Sequence, residues 1–235
     1  MANELHVPSL VDAVYEAVRK WILTGEVQGG HPVTEMDLAQ RFSVARPTAK
    51  AAVERLVHEG LLRRATNKTA RVPLLVTEDI RDLYRTRAFL ERGVVATLAA
   101  KRLVPDSARK SLVALRAATR DPVLPEVVGL DIAFHRALVE ALESPRLTRL
   151  YVSLMGEAHL CMAQVQSHRL LHISRIAEEH AAILSAIEHG DANRATDEVD
   201  SHLERACNRL VGFLETAETS DPTAGRKALA SLTIT

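Results

Sequence analysis

Aromatic residues make up only 3% of this 235-residue chain: one Trp, three Tyr and four Phe. Any core must therefore be aliphatic, and 47% hydrophobic residues are enough to build one large domain or two ordinary ones. Runs of β-branched residues are scarce, while Ala, Leu, Val, Glu and Arg dominate, which points to a mainly α protein. No apolar run is long enough to span a bilayer, so no membrane partner is expected. The opening MANELHVPSL lacks the basic-then-apolar layout of a signal peptide. The two cysteines, Cys161 and Cys207, both fall in helical patterns, which favours reduced thiols in a cytoplasmic protein over a disulfide.

Net charge is missing as well, with 30 basic and 30 acidic residues, but that balance conceals a local excess. Between Val44 and Val72 there are seven basic residues and two acidic ones, against 20 and 22 from Thr77 onward. One module suited to polyanions followed by a balanced one is the expected organisation.

Apolar spacing predicts a helix over Leu10–Thr24, broken by Gly25 and the Gly29-Gly30-His31-Pro32 stretch. Thr34, three residues before Asp37, opens a short helix over Glu35–Arg41 that offers either Met36 or the neighbours of Asp37, Leu38 and Ala39, to a core. The link Phe42-Ser43-Val44 leads to a helix over Arg46–Glu59, ended by Gly60. Two short helices on a tight turn form a helix-turn-helix frame. LLRRATNKTARVPLL then reads as a hairpin wing with its tip at Thr66-Asn67-Lys68-Thr69.

TEMDLAQRFSVARPTAKAAVERLVHEGLLRR, with LVDAVYEAVRKWILTGEVQGGHPVTE before it, resembles the winged helix-turn-helix of GntR-type bacterial repressors over about seventy residues. The N-terminal half of the second helix would then enter the major groove with Arg46, Thr48 and Lys50, Arg46 being able to read a guanine bidentately. Wing residues Asn67, Lys68 and Thr69 would approach the minor groove or its phosphates. The chain departs from the usual Val-Ser-Arg-Thr-Pro-Val-Arg-Glu-Ala-Leu of the family. Ala45 replaces serine, Pro47-Thr48 stand in swapped order, and Lys50 keeps the charge of an arginine without its fork. The glycine common at the wing tip is absent. Operator DNA is the implied partner, with a sequence not transferable from relatives.

From Val76 helical patterns follow one another, near 78–102, 106–119, 125–143, 146–166, 170–189 and 191–214, with Thr77 as a candidate N-cap. The expected domains are a winged helix-turn-helix over 1–76, an all-α helical bundle over 77–215 and a flexible tail over 216–235.

In this bundle Asp131 and His135 lie one turn apart, in line with Leu138 and Leu142. His180 sits in the stripe Ile173, Ile176, Ile183, Leu184 and Ile187, and His202 in the stripe Ala195, Val199, Leu203, Ala206 and Leu210. His180 precedes the Gly190 turn by ten residues and His202 follows it by twelve, so an antiparallel helix pair brings them nearly level. One core histidine is ordinary; three with a carboxylate suit a divalent transition metal such as Zn, Ni or Mn. His31, His58 and His189 read as exposed, and Cys161 and Met162 as core. His159, His168 and His172 are candidates to line the pocket. Arg87 falls in line with Ile80, Leu83, Tyr84, Leu90, Val94 and Leu98, where a cation needs an anion. That anion is either a bound ligand or Glu91, four residues on.

DIAFH, EEHAAILSAIEHGD and DSHLERA, with DLYRTRAFLERGVVATLAA before them, resemble the all-helical metal-binding effector domain (FCD type) of the FadR-like branch of GntR regulators. That likeness implies Asp131, His135, His180 and His202 as metal ligands and Arg87 as the residue that meets an effector carboxylate. The function so implied is a ligand-responsive transcription regulator, a repressor acting as a homodimer on two-fold operator DNA and modulated by a small carboxylate. A purely structural metal with no effector is the first alternative and a metal-dependent enzyme the second. No spare His or Glu at fixed spacing from the ligands offers a general base for the enzyme.

Overall fold

Ser9 opens α1 (Leu10–Leu23) as a reciprocal cap: its hydroxyl accepts from the Asp12 N–H at 3.2 Å, and the Asp12 carboxylate accepts from the Ser9 N–H at 3.1 Å. In this computed structural model the described residues are 9–66, 68–120, 122–165 and 172–220. The chain divides into two compact units, Met1–Leu74 and Leu75–Thr235.

In the first unit, α1 packs against α3 (Arg46–His58), and α2 (Glu35–Arg41) packs against α3 as well. Val14, Tyr15, Val18 and Ile22 of α1 and Ala49, Ala52, Val53 and Leu56 of α3 are the buried faces. Polar contacts lock this pair: the Tyr15 hydroxyl donates to Glu59, and Arg55 donates to Asp12 at 2.9 Å while lying 3.6 Å from the Tyr15 ring centroid. Thr34 caps α2, accepting from the Asp37 N–H at 3.0 Å. Of the two alternatives for its inward face, Met36 is 58% exposed while Leu38 is buried, the one buried residue of α2. A seven-residue helix has room for few inward positions, and Leu38 takes the central one.

The wing forms, with an addition that alternation did not reveal. Arg63 and Arg71 exchange backbone hydrogen bonds of 2.8 and 2.9 Å, closing the hairpin. Its return strand β2 (Ala70–Arg71) also pairs antiparallel with β1 (Pro32–Val33), in register Pro32 to Arg71 and Val33 to Ala70. Proline takes this place because an edge position leaves its missing N–H without consequence.

The second unit is a bundle of α4 (Thr77–Ala100), α5 (Asp106–Ala117), α6 (Leu124–Glu140), α7 (Pro145–Val165), α8 (Ile173–His189) and α9 (Ala192–Ser220). α4 runs along α9, α5 against α6, α6 against α7 and α8 against α9. Val76 is the N-cap of α4 and Thr77 its first helical residue; the Asp79 carboxylate accepts the Val76 N–H at 3.1 Å, which displaces Thr77 from the capping role expected of it. Gly190 ends α8 at φ +78°, and Asp191 caps α9 by accepting from the Arg194 N–H at 3.0 Å, so the two helices double back. α9 is helical through Ser220, six residues past the predicted end, with Arg81 of α4 bonding Glu215 at 2.9 Å near that end. Among the described residues no helix is long and apolar enough to cross a membrane.

Candidate functional site

Asp131 and His135 come from α6, His180 from α8 and His202 from α9. They are 7%, 0%, 0% and 2% exposed, which is costly for such groups unless they are partnered. One ligand-capable atom from each lies within 4.8 Å of all the others. The Gly190 turn brings His180 level with His202, their ring centroids 4.9 Å apart. Phe134 stacks on His180 at 3.8 Å and 5°, fixing the plane of that ring.

Partners on the outer side fix the imidazole tautomers. His135 Nδ1 lies 2.7 Å from Glu91 Oε2, and His202 Nδ1 lies 2.7 Å from Glu179 Oε2. An ionised carboxylate only accepts, so both Nδ1 atoms carry the hydrogen and both Nε2 atoms are left with lone pairs. Those two Nε2 atoms face each other at 3.1 Å. Two lone pairs so close require a cation, either a shared proton or a metal. His180 Nε2 and Asp131 Oδ1 join them, 3.2 Å apart but off the line a hydrogen bond needs, so both His180 nitrogens are buried without a hydrogen-bond partner. A proton would satisfy one pair of atoms, whereas a metal would engage all four side chains. The donor set fits a divalent transition metal.

Burial disfavours the charged forms of His180 and His202, while the acids beside them are held ionised. Burial pushes His180 down to about 3, against the pull of Asp131. Burial also lowers His202, opposed by its bond to Glu179. Desolvation would raise Asp131 and Glu91, but the surrounding histidines, and for Glu91 also Arg87, hold both well below the usual carboxylate range. Glu179, which burial alone would raise, is brought to about 2 by His202 and Arg205.

Arg87 is 1% exposed on α4, and its Nε donates to Glu91 Oε1 at 3.0 Å. The internal partner open to it in sequence is therefore engaged. Glu91 does more than neutralise: it also accepts from the Tyr151 hydroxyl at 2.6 Å and from His135, tying the arginine to the histidine cluster. Arg87 Nη2 is buried without a hydrogen-bond partner. The outer role of Glu179 and the part of Tyr151 have no sequence signal. Glu178-Glu179 reads as a solvated pair, and only the packing of α9 on α8 distinguishes its members. Among the other candidates, His159, Cys161 and Met162 are buried, while His31, His58, His172 and His189 are exposed. His168 lies outside the described residues.

In the first unit, Arg46 opens α3, where Pro47 occupies the first turn, and is exposed. Arg46, Lys68 and Thr69 line one cleft of about 440 Å³, with Thr34, Glu35, Met36 and Arg64. Arg64, not singled out from sequence, is paired there with Glu35 at 3.0 Å. Thr48 and Lys50 stand outside that cleft, Lys50 exposed beside Glu54 at 3.7 Å. Asn67 lies outside the described residues.

The sequence pattern of "Bacterial regulatory proteins, gntR family" matches residues 10–72, and that of the "FCD domain" matches residues 82–205, more than half of the chain. The chain belongs to the GntR family, with an FCD domain at its C-terminal side. It is 28% identical to the HTH-type transcriptional regulator BphR of Paraburkholderia xenovorans, over 88% of each chain. It is 25% identical to the HTH-type transcriptional repressor NanR of Cronobacter sakazakii, over 83% of this chain and 82% of that one. A GntR-type transcriptional regulator of known structure from Rhodococcus sp. RHA1 shares the fold, with a TM-score of 0.72 and 24% identity, over 87% of this chain and 99% of that one. These GntR–FCD relatives are transcriptional regulators rather than enzymes, and this chain is a regulator of the same family.

Proposed function

We propose that this GntR–FCD protein is a cytoplasmic, ligand-responsive repressor. It binds operator DNA as a homodimer through Arg46, Thr48, Lys50, Asn67, Lys68 and Thr69. It holds one divalent transition metal (Zn, Ni or Mn) on Asp131, His135, His180 and His202, and it takes up a small carboxylate at that site, against Arg87.

The observation that carries the metal reading is the facing pair of Nε2 atoms at 3.1 Å, each ring held in the metal-binding tautomer by its own carboxylate. The bound metal supplies positive charge to a buried site that could otherwise not hold an anion cheaply. For the effector, the support is Arg87 Nη2, a buried donor with no hydrogen-bond partner in the same bundle. For DNA, the support is the grouping of Arg46 with the wing residues Lys68 and Thr69 around one cleft. The ion pair of Arg87 with Glu91 favours a second reading, in which the metal is structural and no effector binds. The free Nη2 weighs against it.

Native mass measurement of the purified full chain tests the assembly. The expected species is a dimer carrying one divalent ion per chain; a metal-free monomer would overturn this part of the reading.

A further inference from the structure

We infer that the site takes a monoanion, a small monocarboxylate rather than a dicarboxylate. The inference rests on the carboxylate-effector reading above and narrows it by charge. Among the described residues Arg87 is the buried arginine or lysine of the bundle, but its charge is already matched. Its Nε is 3.0 Å from Glu91 Oε1, and each side chain is 2% exposed. Glu91 is in turn fixed by three donors from three helices: Arg87 of α4, Tyr151 of α7 at 2.6 Å and His135 of α6 at 2.7 Å. A carboxylate so held cannot withdraw to release the arginine without leaving those donors unpaired. What Arg87 offers a ligand is therefore the buried, unpartnered Nη2. That is one hydrogen-bond direction without net charge.

The remaining charges lead to the same count. Asp131 is the only carboxylate in the ligand set. Glu179 is answered from outside the cluster by Arg205 at 2.7 Å and Arg175 at 3.1 Å. The phenols of Tyr84 and Tyr151 are pushed up by burial and stay neutral. An imidazole that gives its Nε2 lone pair to a metal carries no charge, so three of them with Asp131 and a divalent ion would give the ligand set a single positive charge. One carboxylate cancels it. A second carboxylate drawn into the same buried surroundings would have no cation there, which is strongly unfavourable.

The test is calorimetric titration of the full chain, stripped and reloaded with one equivalent of Zn²⁺, against acids paired to differ by one terminal carboxylate. Lactate is compared with malate and gluconate with glucarate, and metal content is measured before and after each titration. In wild type the monoanion of a pair should bind on the order of tenfold more tightly, or better, than its dianion. Glu91→Gln removes one negative charge while keeping an acceptor for His135, and should narrow or reverse that preference. Equal or tighter binding of the dianions by wild type overturns the inference and leaves the carboxylate reading standing, as does an unchanged preference in a folded Glu91→Gln protein. Binding of no acid while the metal is retained overturns the carboxylate reading and the inference with it. If Glu91→Gln does not fold, the wild-type comparison decides alone.

Discussion

His135 and His202 each have a carboxylate behind them and a lone pair in front, and the proposed metal site rests on that arrangement more than on its burial. Removing His202 takes away a proposed ligand and leaves the buried Glu179 with its arginines only. His202→Ala, and equally His180→Ala, should lower the metal content per chain below that of wild type. Both should also remove the thermal stabilisation by added metal, about 2.7 kcal/mol when free metal is a hundred times the dissociation constant. Elemental analysis and a melting curve with and without metal check this, and a full metal complement after loss of both histidines contradicts the site. The pH response has a defined sign. His180 is neutral in the fold down to about 3, while in the unfolded chain it charges near 6.5. The unfolded state is therefore the stronger proton binder between those values, and stability falls as pH falls through that window, by at most roughly 1.4 kcal/mol per pH unit for one such residue. The depressed carboxylates Asp131, Glu91 and Glu179 act in the same direction at lower pH, since what they contribute is lost as they protonate. Metal-stripped protein scanned from pH 7 to pH 4 should melt at progressively lower temperature; a melting temperature that rises on acidification contradicts buried neutral histidines.

At the scale of elements, α3 and the wing carry the DNA reading, and they divide the work differently. Arg46→Ala should cost about 1–3 kcal/mol at the operator and relax preference at one base position. Lys68→Ala should weaken binding evenly across sequences and flatten its dependence on salt. Binding isotherms on a set of single-base operator variants at two salt concentrations separate the two, and an Arg46→Ala protein indistinguishable from wild type removes α3 from the groove. These elements were legible because helical periodicity and turn residues are local signals: Thr34, Gly60 and Gly190 mark their boundaries in the sequence as in the fold. Long-range arrangements were less so. The pairing of Pro32–Val33 with the wing depends on chain that returns from forty residues away. Asp131, His135, His180 and His202 were readable as a cluster because each interrupts an apolar stripe. Glu179 was not, because its burial comes from the helix laid across it.

For the whole molecule, the claim is that occupancy of the bundle changes how the DNA-binding unit meets the operator. A ligand shifts that equilibrium only by the difference in its affinity for the two states, so the coupling must appear as a change in operator affinity. Arg87 is where wild type and variant should part, because Arg87→Met leaves the four metal-site side chains and the DNA-binding unit intact. The loss of the Glu91 ion pair is then the cost to watch, and melting curves on the variant monitor it. The most direct measurement is a titration of operator duplex, selected from random sequence by the protein itself, against wild type and Arg87→Met in the presence of a panel of small metabolic acids. The account predicts that at least one acid changes wild-type affinity on the order of 5–150-fold and leaves Arg87→Met unmoved, with equal basal DNA binding and metal content in both. Equal responses in the two proteins would remove Arg87 from the mechanism, and no response to any acid in either would contradict the account.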